Sequence, residues 1–235
     1  MLILWALLLF GGFFLGSPDA QRRMPLWTRM ASSATLVIAA FSWFLVSRDY
    51  SLGTYGLLIA LGMVAGFAGD LALSGLLSGG RSQIAGIAAF GVGHLFYIIA
   101  IWHLAGALAA RAPAPQWGAL AGWWLFAVLA WYFVVFRGAD EGFLHWVVLP
   151  YALLLATTAG VVSGLALQVP AFAPLALGAA LFLFSDLLLG GIWFSGINFR
   201  FMDDVVWLTY GPAPMLIVFS VGAAIQVATQ RLAPV

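Results

Sequence analysis

Long apolar runs separated by short polar breaks dominate this chain, and no other feature restricts its fold so tightly. A helix needs about 20 apolar residues to cross the hydrocarbon core of a bilayer. Backbone polar groups there must be satisfied inside the segment, and a helix does this. Hydropathy and breakers predict eight helices, at about 1–16, 28–47, 53–74, 83–106, 116–137, 144–165, 171–194 and 203–230. The punctuation agrees: Ser17-Pro18-Asp19, Arg48-Asp49, Gly79-Gly80-Arg81, Arg111 to Pro115, Gly138 to Glu141, Pro170, and Ser195 to Asn198. In 235 residues, eight spans leave only short loops, so the expectation is one all-α polytopic membrane bundle over residues 1–235. Only 7% of residues are charged, against roughly 25% in soluble domains, which excludes a soluble fold and equally excludes intrinsic disorder.

Other classes fall away as quickly. Without cysteine there is neither a disulfide framework nor a thiolate metal site. His94, His103 and His145 are scattered, with no HxxxH pair, so no metal is expected. A net charge of +1 carries no nucleic-acid signal. No Walker loop, GxGxxG, GxSxG or HExxH occurs, and no cofactor is implied. The first segment lacks a basic n-region and a small-x-small cleavage site, so it is expected to stay as a helix. Every cation is Arg, and Ala and Gly abound, which points to a GC-rich bacterial genome and hence an inner membrane. Loops one, three, five and seven hold Arg22, Arg23, Arg29, Arg81, Arg137 and Arg200; the opposite side holds Arg48, Arg111 and Arg231. The positive-inside rule then puts the odd loops in the cytoplasm and both termini outside. Trp27, Trp43, Trp102, Trp117, Trp146, Trp193 and Trp207 fall near predicted helix ends, as an aromatic belt would.

Against this background, two charged residues lie well inside predicted spans: Asp70 and Asp186. An ionised carboxylate at mid-span costs about 2.5–3.5 kcal/mol on insertion scales, so such groups face a cavity or a partner. The plainer alternative is an aspartate that only ties helices together. Asp70 lies in Gly69-Asp70-Leu71-Ala72-Leu73-Ser74-Gly75 and Asp186 in Ser185-Asp186-Leu187-Leu188-Leu189-Gly190-Gly191. The aspartates are 116 positions apart, and the same offset carries His94 onto Tyr210. An offset of four helices would relate the halves as a parallel 4+4 repeat. Asp70, His94, Tyr97, Tyr151, Ser185, Asp186 and Tyr210 all lie nearer the odd-loop ends of their helices, where His145, Asn198, Asp203 and Asp204 would rim a mouth. One polar pocket opening toward the cytoplasmic leaflet is expected. Gly62 and Gly66 precede Asp70 at four-residue spacing, a stripe that lets another helix approach. Pro150, Pro212 and Pro214 should kink the sixth and eighth helices. For His94, the alternative to a site role is a hydrogen-bonded core histidine.

The segments around the two aspartates also carry a resemblance. Gly69-Asp70, the run Ile84-Ala85-Gly86-Ile87-Ala88-Ala89-Phe90-Gly91-Val92-Gly93-His94-Leu95-Phe96-Tyr97, and Leu177 to Ser185-Asp186 resemble the YhhN family. These are eight-helix membrane proteins that include the lysoplasmalogenases. Helix count and loop length match along the whole chain, while motif similarity is confined to the third, fourth and seventh helices, with an echo at Tyr210. The chain departs from the family pattern at Met24-Pro25, at Pro214 and around Thr157-Thr158.

The resemblance implies hydrolysis of the vinyl ether of a lysoplasmalogen. The products would be a fatty aldehyde and glycerophosphocholine or glycerophosphoethanolamine, and the partners a lysophospholipid and the surrounding lipid. The residues suit that chemistry. An enol ether is cleaved by protonating its β-carbon, and water captures the resulting oxocarbenium ion. This demands one carboxylic acid and one carboxylate, the device by which glycosidases meet a similar ion. Asp70 and Asp186 are the candidate pair, with His94 and Tyr210 orienting water or a carboxylate; which aspartate is the acid is open. Tyr97, Tyr151, Ser185 and Asn198 are candidate substrate contacts, and Arg22, Arg23, Arg29 and Arg200 candidate phosphate contacts, unless they only set topology. Two alternatives remain: a hydrolase of another lysolipid or ether lipid, and a small lipid or solute transporter.

Overall fold

Apolar runs with no polar face have one stable arrangement in lipid, helices packed on helices, and the computed structural model is built that way. It describes residues 1–16, 23–77, 80, 82–137, 142–197 and 199–232. The helices are α1 (Leu2–Leu15), α2 (Leu26–Ser47), α3 (Gly53–Ser74), α4 (Gln83–Ala107), α5 (Pro113–Ala130), α6 (Phe143–Gln168), α7 (Ala173–Phe194), α8 (Met202–Tyr210) and α9 (Pro212–Leu232). Among the described residues, seven stretches are long and apolar enough to cross a membrane, with α8 and α9 together forming the last. This is a multi-pass helical membrane protein.

Three expected helices differ in detail. The first has 14 residues and spans about 21 Å, shorter than the others and than the hydrocarbon core. The fifth ends in a π-helical turn, Trp131–Phe136, closed by the Arg137 N–H donating to the Tyr132 carbonyl at 3.0 Å. The eighth is two helices, broken at Gly211, because Pro212 has no N–H to continue α8 and instead begins α9. Gly211 is also where Leu9 of α1 presses closest: a Cβ there would lie 2.6 Å from a leucine methyl.

Helices α2, α3, α4, α6, α7 and α9 close a ring, each packed on the next, with α1 outside α2 and α5 outside α6. Shifting the list by four helices reproduces the same neighbours: α1–α2 becomes α5–α6, α2–α3 becomes α6–α7, and α3–α4 becomes α7 against α8 and α9. The fit extends to residues. Gly62 lies under the ring of Tyr97, and 116 positions on, Gly178 lies under Ala213, whose carbonyl would be 2.9 Å from an added Cβ. Likewise Gly69 faces Phe90, while Ser185 donates to the Val206 carbonyl at 3.3 Å. The chain is therefore arranged as two parallel four-helix halves.

Small residues bring α3 and α4 together. An added Cβ on Gly93 would lie 3.0 Å from the Gly62 carbonyl and 3.5 Å from the Gly66 amide, so the two backbones nearly touch. Gly66 itself faces no atom within 4 Å of an added Cβ. Gly62→Ala should therefore drive a methyl into the buried Tyr97 ring and lower stability by about 1–3 kcal/mol, while Gly66→Ala should leave it nearly unchanged. Thermal unfolding in one detergent checks both; equal effects would contradict this packing.

Candidate active site

Packing the ends of α2, α3, α4, α7 and α8 around two carboxylates leaves a cavity of about 520 Å³. Its walls come from one end of each helix. Leu26, Arg29 and Met30 lie in the first turns of α2, and Asp70, Leu73 and Ser74 in the last turns of α3. Gln83 and Phe90 belong to the start of α4, Ser185 to Trp193 to the last turns of α7, and Asp203, Val206, Trp207 and Tyr210 to α8. These are all odd-loop ends, so the polar residues gather at one face of the bundle.

Each carboxylate accepts a hydroxyl hydrogen bond from the second helix of its own half. Ser33 on α2 donates to Oδ2 of Asp70 at 2.6 Å, and Tyr151 on α6 donates to Oδ2 of Asp186. Asp70 is buried, 5% exposed, whereas Asp186 is half-buried because it faces open space. The charge of Asp186 acts weakly on Asp70, and Arg29, itself buried, acts on it too. The Arg29 guanidinium lies 5.3 Å from the Trp207 ring centroid, which helps to fix it at the cavity wall. The Tyr210 hydroxyl is buried and turned toward Asp70, close enough to interact with its carboxyl.

A second, narrower cleft of about 70 Å³ runs between the end of α5 with its π-turn, α6 and α7. Leu73, Phe90, Asp186 and Trp193 line both spaces. Apart from Asp186, Tyr151 and the tryptophans Trp131 and Trp193, the lining of the cleft is wholly apolar.

Of the candidate residues, Asp70, Ser185, Asp186 and Tyr210 line the main cavity, and Tyr151 reaches Asp186 from the cleft. Tyr97 is buried against Gly62, close enough to Asp70 to feel its charge but not in the cavity wall. His94 is not in that wall either. Its Nδ1 pairs with the Thr158 hydroxyl at 2.9 Å, and its ring packs edge-on against Phe182 with centroids 4.5 Å apart. Phe182 in turn packs on Phe90 and Tyr210, so an aromatic layer lies against both His94 and the cavity's tyrosine. Of the four rim candidates, Asp203 lines the cavity. Asp204 is buried and accepts the Arg23 backbone N–H at 3.1 Å, and His145 is buried at the start of α6, its Nδ1 3.0 Å from the Gly142 amide. Asn198 and Arg22 lie outside the described residues. Arg23 and Arg200 both stack on Phe201, at 3.9 and 4.7 Å.

Sequence reasoning missed Ser33 and placed Arg29 in a loop. Their four-residue spacing on one face of α2 was the available signal. Trp193 and Trp207, read as belt residues, line the cavity instead. Among the described residues no three His, Asp or Glu side chains gather as a metal site would need.

A helical bundle with two intramembrane carboxylates in a cavity at one face defines the class: a multi-pass membrane protein with a polar site inside the bilayer. Within that class the YhhN family model matches residues 26–221, most of the chain, and the chain belongs to that family. None of the curated proteins compared with the chain matches it, and none of the solved structures does.

Removing the partner of His94 tests whether that histidine is a packing element. Thr158→Val leaves a buried Nδ1 unsatisfied and should lower stability by about 1 kcal/mol in a detergent melt. An unchanged melt would show that the pair holds nothing together.

Proposed function

We propose that this protein is a membrane-embedded hydrolase that cleaves the vinyl ether of a lysoplasmalogen. The observation that carries the reading is the pair of aspartates lining one cavity, each with one oxygen held by a hydroxyl. Two carboxyls lining one low-dielectric cavity disfavour carrying two charges at once, which favours one acid and one carboxylate. One acid and one carboxylate are what the reaction needs.

The chemistry closes over two proton cycles. The carboxylic acid gives its proton to the β-carbon of the enol ether, and the double-bond pair forms the new C–H bond. Positive charge develops at the ether carbon and oxygen, stabilised by the neighbouring carboxylate. Water adds to that carbon while the second carboxylate takes its proton, giving a hemiacetal. The hemiacetal hydroxyl then returns a proton to the first carboxylate, the second carboxyl protonates the departing glycerol oxygen, and the C–O bond breaks. A fatty aldehyde and a glycerophosphodiester leave, and both aspartates regain their starting states. Tyr210, with its hydroxyl turned toward Asp70, is placed to orient that carboxyl.

The polar rim is suited to a head group at the leaflet surface. Arg29 supplies positive charge for a phosphate, and Gln83 and Asp203 supply polar contacts. Confinement of the site to the odd-loop face favours drawing lipid from one leaflet, which the arginine distribution makes the cytoplasmic one. A carrier would place its site near the midplane, with access from both sides.

Purified protein in detergent, given 1-alkenyl-lysophosphatidylethanolamine in heavy water, should release a fatty aldehyde with one deuterium on its second carbon when trapped at once. The saturated 1-alkyl analogue should be inert. Aldehyde without that deuterium would rule out β-carbon protonation. No aldehyde from folded protein would rule out the activity and favour another lysolipid.

A further inference from the structure

We propose that the narrow cleft between the π-turn, α6 and α7 is the subsite for the substrate's hydrocarbon chain, and that Asp186, at its junction with the polar cavity, is the carboxyl that protonates the chain carbon. The second half of this statement rests on the vinyl-ether reading; the first half does not. Asp186 belongs to both spaces, while Asp70 belongs only to the polar one, beside Arg29 and Ser33. An amphiphile whose head occupies the cavity and whose chain occupies the cleft therefore has its polar–apolar junction at Asp186. In a vinyl ether the carbon to be protonated is the second of the chain, on the cleft side of the oxygen. Water and Asp70 remain on the cavity side, where the oxocarbenium carbon is attacked. The proton thus leaves the Asp186 carboxyl for that carbon, and Asp70 takes one from the attacking water.

Local structure supports both roles. Tyr151 donates to Oδ2 of Asp186 and fixes the carboxyl at the junction of the two spaces. The π-turn puts Trp131 and Val135 on the cleft wall, and rare π-turns of this kind concentrate at functional sites. This wall is held from two sides: Trp131 donates through Nε1 to the His145 carbonyl at 3.0 Å, and Ser195 donates to the Val134 carbonyl. Ala152 and Gly190 put small residues in the opposite wall, so that one hydrocarbon chain can lie along the cleft.

Photolabelling with non-hydrolysable 1-alkyl-lysophosphatidylethanolamine tests this without relying on turnover. Two probes are used, with an alkyl diazirine at the second or at about the sixth chain carbon, and labelled peptides are read by mass spectrometry. The sixth-carbon probe should label segments 127–135 and 148–155, be competed away by unlabelled 1-alkyl lysolipid, and lose at least about fivefold in Ala152→Phe or, if that variant does not fold, in Gly190→Leu. The second-carbon probe should esterify Asp186 at least about fivefold more than Asp70. Competed label in the other lateral groove, around Gly122 and Leu181, would overturn the chain subsite. Preference for Asp70 would overturn the assignment of the acid. Cleft labelling by a protein that releases no aldehyde would refute the reaction while keeping the subsite.

Discussion

A carboxylate cannot be left bare in hydrocarbon, and the structure meets that constraint twice in the same way. In each half the aspartate on the third helix takes a hydroxyl hydrogen bond from the second, Ser33 to Asp70 and Tyr151 to Asp186. The rest of the bundle supports these two bonds. Gly62, Gly69 and Gly93 let α4 approach α3 closely, and Gly178 does the same for α7 and α9. Because the halves are parallel, both carboxylates point to the same face, and a single cavity forms between them. An antiparallel pair of halves would have put them at opposite faces.

The proline breaks serve the same end. Ending α8 at Gly211 places Tyr210 on the final turn of a nine-residue helix, with its ring against Phe90 and Phe182 and its hydroxyl toward Asp70. Behind that aromatic layer, Nδ1 of His94 pairs with the Thr158 hydroxyl. The polar groups thus separate into those that face the cavity and those that hold its back wall.

Much of this was legible in the chain. Apolar run length gave the helices to within a few residues, since in lipid the span requirement overrides local propensity. The cost of burying charge singled out Asp70 and Asp186, and their shared sequence context gave the 116-residue offset that the contacts obey. The rest depends on rotation about helix axes, which composition does not encode. Trp193 and Trp207 have belt-like positions in sequence yet turn inward, and His94 turns away from the cavity toward α6. Ser33 is one of several hydroxyls on α2, and only the packing of α2 on α3 selects it. No residue in Trp131–Phe136 announces a π-turn, because its stabilisation comes from Ser195, some sixty residues later.

The central claim is that two carboxylates of one cavity work as a pair. Its most direct test is the rate of aldehyde release from 1-alkenyl-lysophosphatidylethanolamine by wild type, Asp70→Asn, Asp186→Asn and the double variant, each verified as folded by its melt. Either single change should lower turnover at least about a thousandfold and the double change should cost little more, as for groups acting as a unit. Near-wild-type turnover in either single variant, from protein that melts normally, would contradict it.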